Sequence, residues 1–493
     1  MAKAYSFFGP PGTGKSTKII GTMTQCVEEG VDPNRIGLVS FTRAAAQELA
    51  KRAGIGTGGN VATIHSMCFR LAGLVREQVV QNSELREFGN QIKIPITGSN
   101  PDEGEFAEVG DSYLALHAKL RAQKRYPHDI ERGFTEARIE GAMWQFLFFC
   151  EQYDKWKLNH GLVDFTDMLA LAMDAENPDI DVLFVDEAQD LSRMQWDLVY
   201  KWAQSVDRVY VAGDDDQSIY VWGGADPEGM MKFSQDFDAD VHILAQSYRI
   251  PVKVHDIAHE VIDRIQGPRM DKAYNPTTHT GVVQRHTSVW SLGPVLDEYD
   301  DTLVLYRNHS LRDEIEHFFQ SRGIPYSVQT GKPGVLQSMY ARAAIIWDKI
   351  RAEWKNHQAI ITPRHQLKPL LTLAKPSIKR RIQDEDLTGL AGKHWSKIIN
   401  VPGPKAIYMR RIEDKYDTLA VEPKVRLSTI HGSKGQEADH VVIINGMTER
   451  TYEAMSMDPD SEVRTFYVGI TRARQRLDIV MAQNPVSFLE VTK

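Results

Sequence analysis

Residues 5–20 read Tyr-Ser-Phe-Phe-Gly-Pro-Pro-Gly-Thr-Gly-Lys-Ser-Thr-Lys-Ile-Ile. A short apolar run, Tyr5 to Phe8, leads into a segment from Gly9 to Ser16 that fits G-x-x-x-x-G-K-[ST] in full, and Ile19, Met23 and Val27 then recur at helical spacing. Strand, glycine-rich turn and helix form the context in which this pattern binds phosphate. Glycines let backbone N–H groups converge on phosphate oxygens at a helix amino terminus, where the aligned peptide dipoles favour negative charge. Gly9, Pro10, Pro11, Gly12, Thr13, Gly14 and Thr17 are expected to shape this cradle, with Lys15 bridging the terminal phosphates and Ser16 ligating Mg²⁺.

Further β-branched or aromatic runs follow at 38–41, 182–187, 208–213 and 241–245, separated by stretches of helical period. That alternation predicts a parallel sheet covered by helices. It returns at 302–307, 425–430, 440–445 and 476–481, so two α/β lobes are expected. The helix after residue 307 should bury Leu311, Ile315, Phe318 and Phe319 and end at Gly323 and Pro325. Two helix-rich regions interrupt the pattern. The first holds acidic residues Asp102, Glu103, Glu105, Glu108 and Asp111, then basic Lys119, Arg121, Lys124 and Arg125 and the aromatic cluster Trp144 to Phe149. The second carries Lys379, Arg380, Arg381, Lys405, Arg410 and Arg411. The expected division is a first lobe at 1–80 and 150–240 with an insertion at 81–149, and a second lobe at 241–334 and 421–493 with a shorter insertion at 335–420.

Asp186 and Glu187 end the apolar run Val182 to Val185, at the carboxyl edge of an open α/β sheet where ligands collect. Asp186 suits Mg²⁺ binding, and Glu187 suits polarising an attacking water.

The 493 residues are 42% hydrophobic and 25% charged, which excludes a largely disordered chain and exceeds what one core organises. No window approaches eighteen consecutive apolar residues and the first residues lack a secretory pattern, so a cytoplasmic protein without membrane spans is expected. The three cysteines, Cys26, Cys68 and Cys150, are spaced too widely for a disulfide framework or a zinc knuckle, and are read as reduced core thiols. The formal net charge is -8, so any polyanion would need a local basic track.

The motifs resemble, in the same order and across nearly the whole chain, those of the UvrD/Rep/PcrA-type superfamily 1 (1A) DNA helicases. Besides the phosphate loop and the "DEAQD" at 186–190, the similar segments are "FTRAAAQELAKR" (41–52), "TIHSMCFRL" (63–71), "VDFTDML" (163–169), "GDDDQSIYVWGGA" (213–225), "QSYRIP" (246–251), "STIHGSKGQE" (428–437) and "FYVGITRARQRL" (466–477). The resemblance implies an α/β fold of two RecA-like P-loop lobes with parallel sheets, each carrying a mainly helical insertion, with ATP between them and single-stranded DNA across their top. It implies Arg249 and Arg472 as guanidiniums delivered from the opposite lobe, Gln217 as γ-phosphate sensor, Tyr248 as adenine-stacking ring and Glu437 as ribose contact. Phe41, Tyr220 and Trp222 match base-stacking positions, and stacking grips any sequence because every base has a π-face. Thr42, Arg43, Thr63, His65, Ser66, Thr429, His431 and Lys434 are the matching backbone contacts.

The chain departs from the family's pattern at Gly223, where an Arg is usual, and at Gln436, where an aliphatic residue is usual. Only eight residues precede Gly9, so loose base selectivity at the nucleotide is expected, and the short stretch after residue 481 favours translocation over strand separation. The expected function is an ATP- and Mg²⁺-dependent DNA helicase and translocase moving 3′ to 5′ on single-stranded or tailed duplex DNA, with replication or repair proteins as partners and RNA disfavoured. The alternative is an ATP-gated translocase or protein-displacement factor without processive unwinding.

Overall fold

The computed structural model describes residues 2–98, 108–139, 141–329, 333–482 and 486–489; the acidic residues Asp102, Glu103 and Glu105 lie outside them. The chain divides into two compact units, Met1–Gly281 with Glu449–Thr471, and Val282–Thr448 with Arg472–Lys493.

In the first unit six strands, β1 (Lys3–Phe8), β2 (Ile36–Val39), β3 (Val61–Ala62), β4 (Val182–Val185), β5 (Arg208–Gly213) and β6 (Asp240–Ile243), form one sheet in the order β3-β2-β4-β5-β1-β6. All pairings are parallel. Side chains alternate across a strand, so an uninterrupted apolar run serves two faces at once. Leu183 and Val185 of β4 join Met168, Leu169 and Trp202 on one face; Val182 and Phe184 join Ile19, Met23 and Leu49 on the other. Each such buried side chain contributes about 1.5–3 kcal/mol.

The first insertion has its own core. Helices Asn82–Ile92, Val109–Ala122, Ile130–Ala137 and Met143–His160 bury Phe88, Tyr113, Leu116, Phe149, Tyr153 and Trp156 together. Three residues of the basic run go into ion pairs, within the insertion and beyond it: Arg121 with Asp164, Lys124 with Asp197, and Arg125 with Asp129 and Glu136.

The second unit holds β7 (Val282–His286), β8 (Thr302–Tyr306), β9 (Tyr326–Val328), β10 (Val425–Thr429), β11 (Ala438–Asn445) and β12 (Ala473–Met481) in the parallel order β7-β12-β11-β8-β10-β9. The helix Arg312–Arg322 buries Ile315, Phe318 and Phe319 and ends at Gly323, φ 61°. The second insertion shares this unit's core: Trp347, Leu370, Trp395 and Met409 pack in one cluster with Val304, Tyr326 and Leu427.

Three stretches leave the expected division, the first being residues 150–160, which continue the insertion helix Met143–His160 and pack Tyr153 and Trp156 into its core. Residues 241–281 belong to the first unit because β6 pairs with β1, Tyr5 opposite Asp240 and Phe8 opposite Ile243. Residues 449–471 join it too: the Asp460 carboxylate accepts from the Gln266 and Gly267 N–H groups at 3.0 and 2.8 Å. A strand's partner depends on exposed backbone groups of another strand, which local apolar pattern does not name.

Candidate nucleotide and nucleic-acid site

Parallel strands all deliver their carboxyl ends to one edge. In the first unit that edge carries the phosphate loop after β1, Phe41 after β2, Thr63 after β3, Asp186 and Glu187 after β4, Asp214–Gln217 after β5, and Ser247–Arg249 beyond β6.

The loop is tied down before any ligand arrives. Gly9 N–H donates to the Gly213 carbonyl (2.9 Å), the Thr13 hydroxyl to the Pro10 carbonyl (2.7 Å), and the Lys15 ammonium to the Gly9 carbonyl (3.0 Å). Ser16 and Thr17 open the helix Lys15–Glu28 with their side chains exposed. Gly14 caps that helix at φ 84°, and Gly12 holds φ 73°. Gly12 admits no side chain for a second reason: a Cβ there would sit 2.5 Å from the Arg249 Cβ.

That closeness corrects one expectation. The Ser247 hydroxyl donates to the Pro11 carbonyl (2.9 Å) and Tyr248 N–H to the Gly12 carbonyl (2.8 Å), so Arg249 belongs to the same unit as the phosphate loop and is not delivered from the opposite one. Tyr248 stands beside the loop with 77% of its surface exposed.

Asp186 is buried and accepts from the Ser40 hydroxyl at 3.2 Å through Oδ2, while Oδ1 has no hydrogen-bond partner among the described residues. Burial, then the neighbouring Glu187 charge, push its carboxyl up to about 7. A buried carboxyl with one oxygen unpartnered, and the Ser16 hydroxyl on the same sheet edge, fits a divalent cation. Glu187 sits at φ 52°, a left-handed conformation that a non-glycine residue adopts at a cost of about 1–3 kcal/mol and that is concentrated at functional sites. Gln189 joins this carboxylate to the next loop: its Nε2 donates to Glu187 Oε2 (2.5 Å), its Oε1 accepts from Asp214 N–H (3.1 Å), and its carbonyl accepts from the Ser218 hydroxyl (2.8 Å). Gln217 follows, its Nε2 donating to Asp214 Oδ2 at 2.7 Å.

Two aromatics, Tyr220 and Trp222, follow three and five residues beyond Gln217, and Phe41 gathers with them. Phe41 and Tyr220 stack with centroids 4.7 Å apart and planes 13° from parallel, and Trp222 meets Tyr220 edge-on at 6.3 Å. Phe41 remains 47% exposed, so its ring is offered to solvent and not consumed by the core. Beside it lies an open groove of ≈ 780 Å³ lined by Arg43, Thr63, His65, Ser66, Arg70 and Phe165, among others. Thr42 and Thr63 cap the helices Arg43–Arg52 and Ile64–Leu71 through their hydroxyls, so capping is one duty of each. Burial lowers His65 to about 4, which makes it a neutral ring at physiological pH.

In the second unit the candidates split between the two edges of the sheet. Thr429 ends β10 and accepts from Gly432 N–H (3.0 Å), with His431 and Lys434 just beyond. Glu437 and Arg472 instead precede the amino ends of β11 and β12. Arg472 is buried and donates to the Gln436 carbonyl (3.2 Å); Glu437 pairs with Arg474 (3.3 Å). Gln436 has its own partners, accepting from Arg426 and donating to the Gly432 carbonyl, both at 3.0 Å.

The model of the UvrD/REP helicase N-terminal domain matches residues 7–238, and that of the UvrD-like helicase C-terminal domain matches residues 407–484. The chain belongs to the UvrD/REP helicase family. It is similar to the ATP-dependent DNA helicase UvrD2 of Mycobacterium tuberculosis, 26% identical across 96% of this chain and 75% of that protein. It is also similar to the ATP-dependent DNA helicase PcrA of Staphylococcus aureus, 23% identical across 65% of this chain and 48% of that one. As a member of a UvrD-type ATP-dependent DNA helicase family it is an enzyme, built on two RecA-like sheets. Among the described residues no helix is long and apolar enough to cross a membrane.

Sequence reading passed over Gln189, Arg70 and Phe165. Gln189 lies inside the quoted "DEAQD", yet its bridging role depends on β4 and β5 being neighbours. Phe165 is 63% exposed at the start of a helix, an exposure no pattern announces.

Proposed function

We propose that the chain is an ATP-driven motor on single-stranded DNA that moves 3′ to 5′ and opens tailed duplexes. The observation that carries this reading is the continuity of one loop. Gln217, beside the phosphate-binding lysine's edge, is followed within five residues by Tyr220 and Trp222, and Tyr220 stacks on Phe41. A small shift of that loop on loss of a γ-phosphate therefore displaces the rings that hold bases.

The reaction asks mainly for positioning and charge compensation. The phosphate loop N–H groups and Lys15 bind the β- and γ-phosphates; Tyr248 offers a face for the adenine. Ser16 and Asp186 would hold Mg²⁺, which neutralises phosphate charge when bound. Glu187, oriented by Gln189, aligns a water on the γ-phosphorus and takes its proton. Arg249 and Arg472 supply guanidiniums to the charge that develops on the transferred group, and Glu437 contacts the ribose. Along the DNA, Phe41, Tyr220 and Trp222 stack bases while Thr42, Arg43, Thr63, His65, Ser66, Thr429, His431 and Lys434 hold the backbone.

The test is ATP turnover with and without oligo-dT, run beside unwinding of duplexes with 3′ or 5′ tails. Stimulated turnover with unwinding of the 3′-tailed substrate alone is expected. Turnover indifferent to DNA rejects the motor; stimulated turnover with both duplexes intact assigns movement without strand separation. Phe41→Ala is expected to weaken oligo-dT binding by about 1–3 kcal/mol, the worth of one base stack, measured by fluorescence anisotropy. Labelled-ATP affinity should not change, and an unaltered oligo-dT affinity would remove Phe41 from the track.

A further inference from the structure

Asp214, Asp215 and Asp216 run consecutively just before Gln217, and all three are buried. Three adjacent carboxylates repel one another and lose hydration, so such a run needs cations within reach. The first unit supplies Lys272, whose side chain is 1% exposed. Its ammonium contacts Asp214 Oδ1 (2.9 Å), Asp216 Oδ2 (3.0 Å) and Asp215 Oδ1. An ammonium has three N–H donors, and three carboxylates account for them. Arg269 adds a two-point contact to Asp216, 3.0 Å at each oxygen, and Met270 N–H donates to Asp215 Oδ2 at 2.8 Å.

The cluster is connected at both ends. Asp214 turns its other oxygen to Gln217 Nε2 at 2.7 Å, so one carboxylate bridges Lys272 and the sensor amide. Burial opposes the Asp214 charge, but Lys272 and then Lys15 outweigh it and hold the carboxyl below its usual range, which puts the cluster within electrostatic reach of the phosphate-binding lysine. At the far side, Arg464 of the helix Pro459–Ile470 donates through Nε to the Asp215 carbonyl (3.1 Å), and the Tyr274 and Tyr467 hydroxyls meet at 3.3 Å. Burial works against the Lys272 charge, but the three carboxylates prevail and hold the ammonium above its ordinary range.

We infer that Lys272 is a positioning residue for ATP hydrolysis: it fixes the Asp214 carboxylate, which fixes the Gln217 amide facing the γ-phosphate, in a loop that Arg464 anchors separately through the Asp215 carbonyl. This rests on the motor reading, in which Gln217 senses the γ-phosphate. It goes beyond charge compensation, because without the ammonium Asp214 Oδ1 keeps the longer Asp216 N–H contact, at 3.3 Å, and its carboxylate is freer to rotate and release the amide.

The experiment compares Lys272→Met with Lys272→Met/Asp215→Asn. The double variant removes one cation and one carboxylate together and so keeps the cluster's net charge. For both, kcat for ATP in saturating oligo-dT is expected to fall about 100-fold, the usual penalty for a small misplacement of a reacting group. KM for ATP and oligo-dT affinity should stay within threefold of wild type, and the double variant should recover the thermal midpoint lost by the single one. Wild-type kcat in either variant overturns the inference. So does failure of the charge-balanced variant to fold, which assigns Lys272 to a purely structural ion cluster. Wild type and Lys15→Ala run alongside: absent DNA stimulation in wild type defeats the motor reading itself, whereas stimulated wild type beside a fully active double variant defeats only the role of Lys272.

Discussion

Lys15→Ala and Glu187→Gln are each expected to reduce DNA-stimulated ATP turnover by about 10³-fold, and to differ in what they leave behind. Lys15 donates to the Gly9 carbonyl, which holds its ammonium over the loop before ligand binds. Losing it removes a cation that interacts with the phosphates in the ground state and more strongly as charge moves onto the leaving oxygen, so both affinity and kcat fall. Glu187→Gln keeps the side chain's volume and an oxygen for Gln189 Nε2, which reaches that carboxylate at 2.5 Å. The amide accepts no proton, so labelled-ATP binding should survive while kcat collapses. A phosphate-release assay beside fluorescent-nucleotide titration separates the two. Residual turnover above about a tenth of wild type in Glu187→Gln would assign the water-activating role elsewhere, since general-base catalysis contributes about 10²–10⁴-fold.

The largest stability effect is expected at Lys157. It projects from the insertion helix Met143–His160 to Asp164 and Asp167, at 2.6 Å each, and only 5% of its side chain is exposed. Arg121 from the helix Val109–Ala122 reaches the same two carboxylates, 2.8 Å from Asp164. The two aspartates also cap the helix Phe165–Asp174 reciprocally, and that helix buries Met168, Leu169 and Ala172 under the first sheet. The cluster thus fastens the insertion, with its separate core, to the lobe beneath. Lys157→Met leaves two carboxylates sharing one guanidinium and should cost about 3–5 kcal/mol, the penalty for breaking a buried pair from one side. Urea unfolding read by intrinsic tryptophan fluorescence measures it; a loss under about 1 kcal/mol would show that the cluster behaves like an exposed pair.

The same site sets an acid dependence. Burial works against the Asp164 charge, but Arg121 and Lys157 prevail and hold its carboxyl well below the usual range. A group whose folded value is depressed contributes its stability above the unfolded value of about 3.9 and loses it as pH falls toward the folded one. The gap between wild type and Lys157→Met should therefore be full at neutral pH and narrow below about pH 4.

Much of this was legible locally. The phosphate loop could be read because its chemistry is backbone chemistry, written in contiguous glycines next to a strand and a helix. Eight apolar runs beyond β1 are recognisable as strands, most of them because burial on both faces demands uninterrupted apolar sequence; β6 is the exception, an exposed edge strand. β3, with two residues, β9, with three, and β7, an exposed edge reading Val-Val-Gln-Arg-His, offer no such run and were not anticipated. Of the aromatic candidates, Phe41 and Tyr220 taken singly looked equally suited to a core; their stacking and the exposure of Phe41 distinguish them.

The amino-acid order alone determined most of the strands, where a phosphate grip is expected, and which family the chain resembles, since each rests on residues within a few positions of one another. Strand pairing and long-range packing decided the rest. They assigned residues 241–281 and 449–471 to the first unit, set Arg249 against Gly12, and brought Lys272 to three aspartates more than fifty residues upstream. Backbone hydrogen bonds between strands and the neutralisation of buried charge are both satisfied by whichever partner the folded chain brings near, and no local spacing encodes that partner.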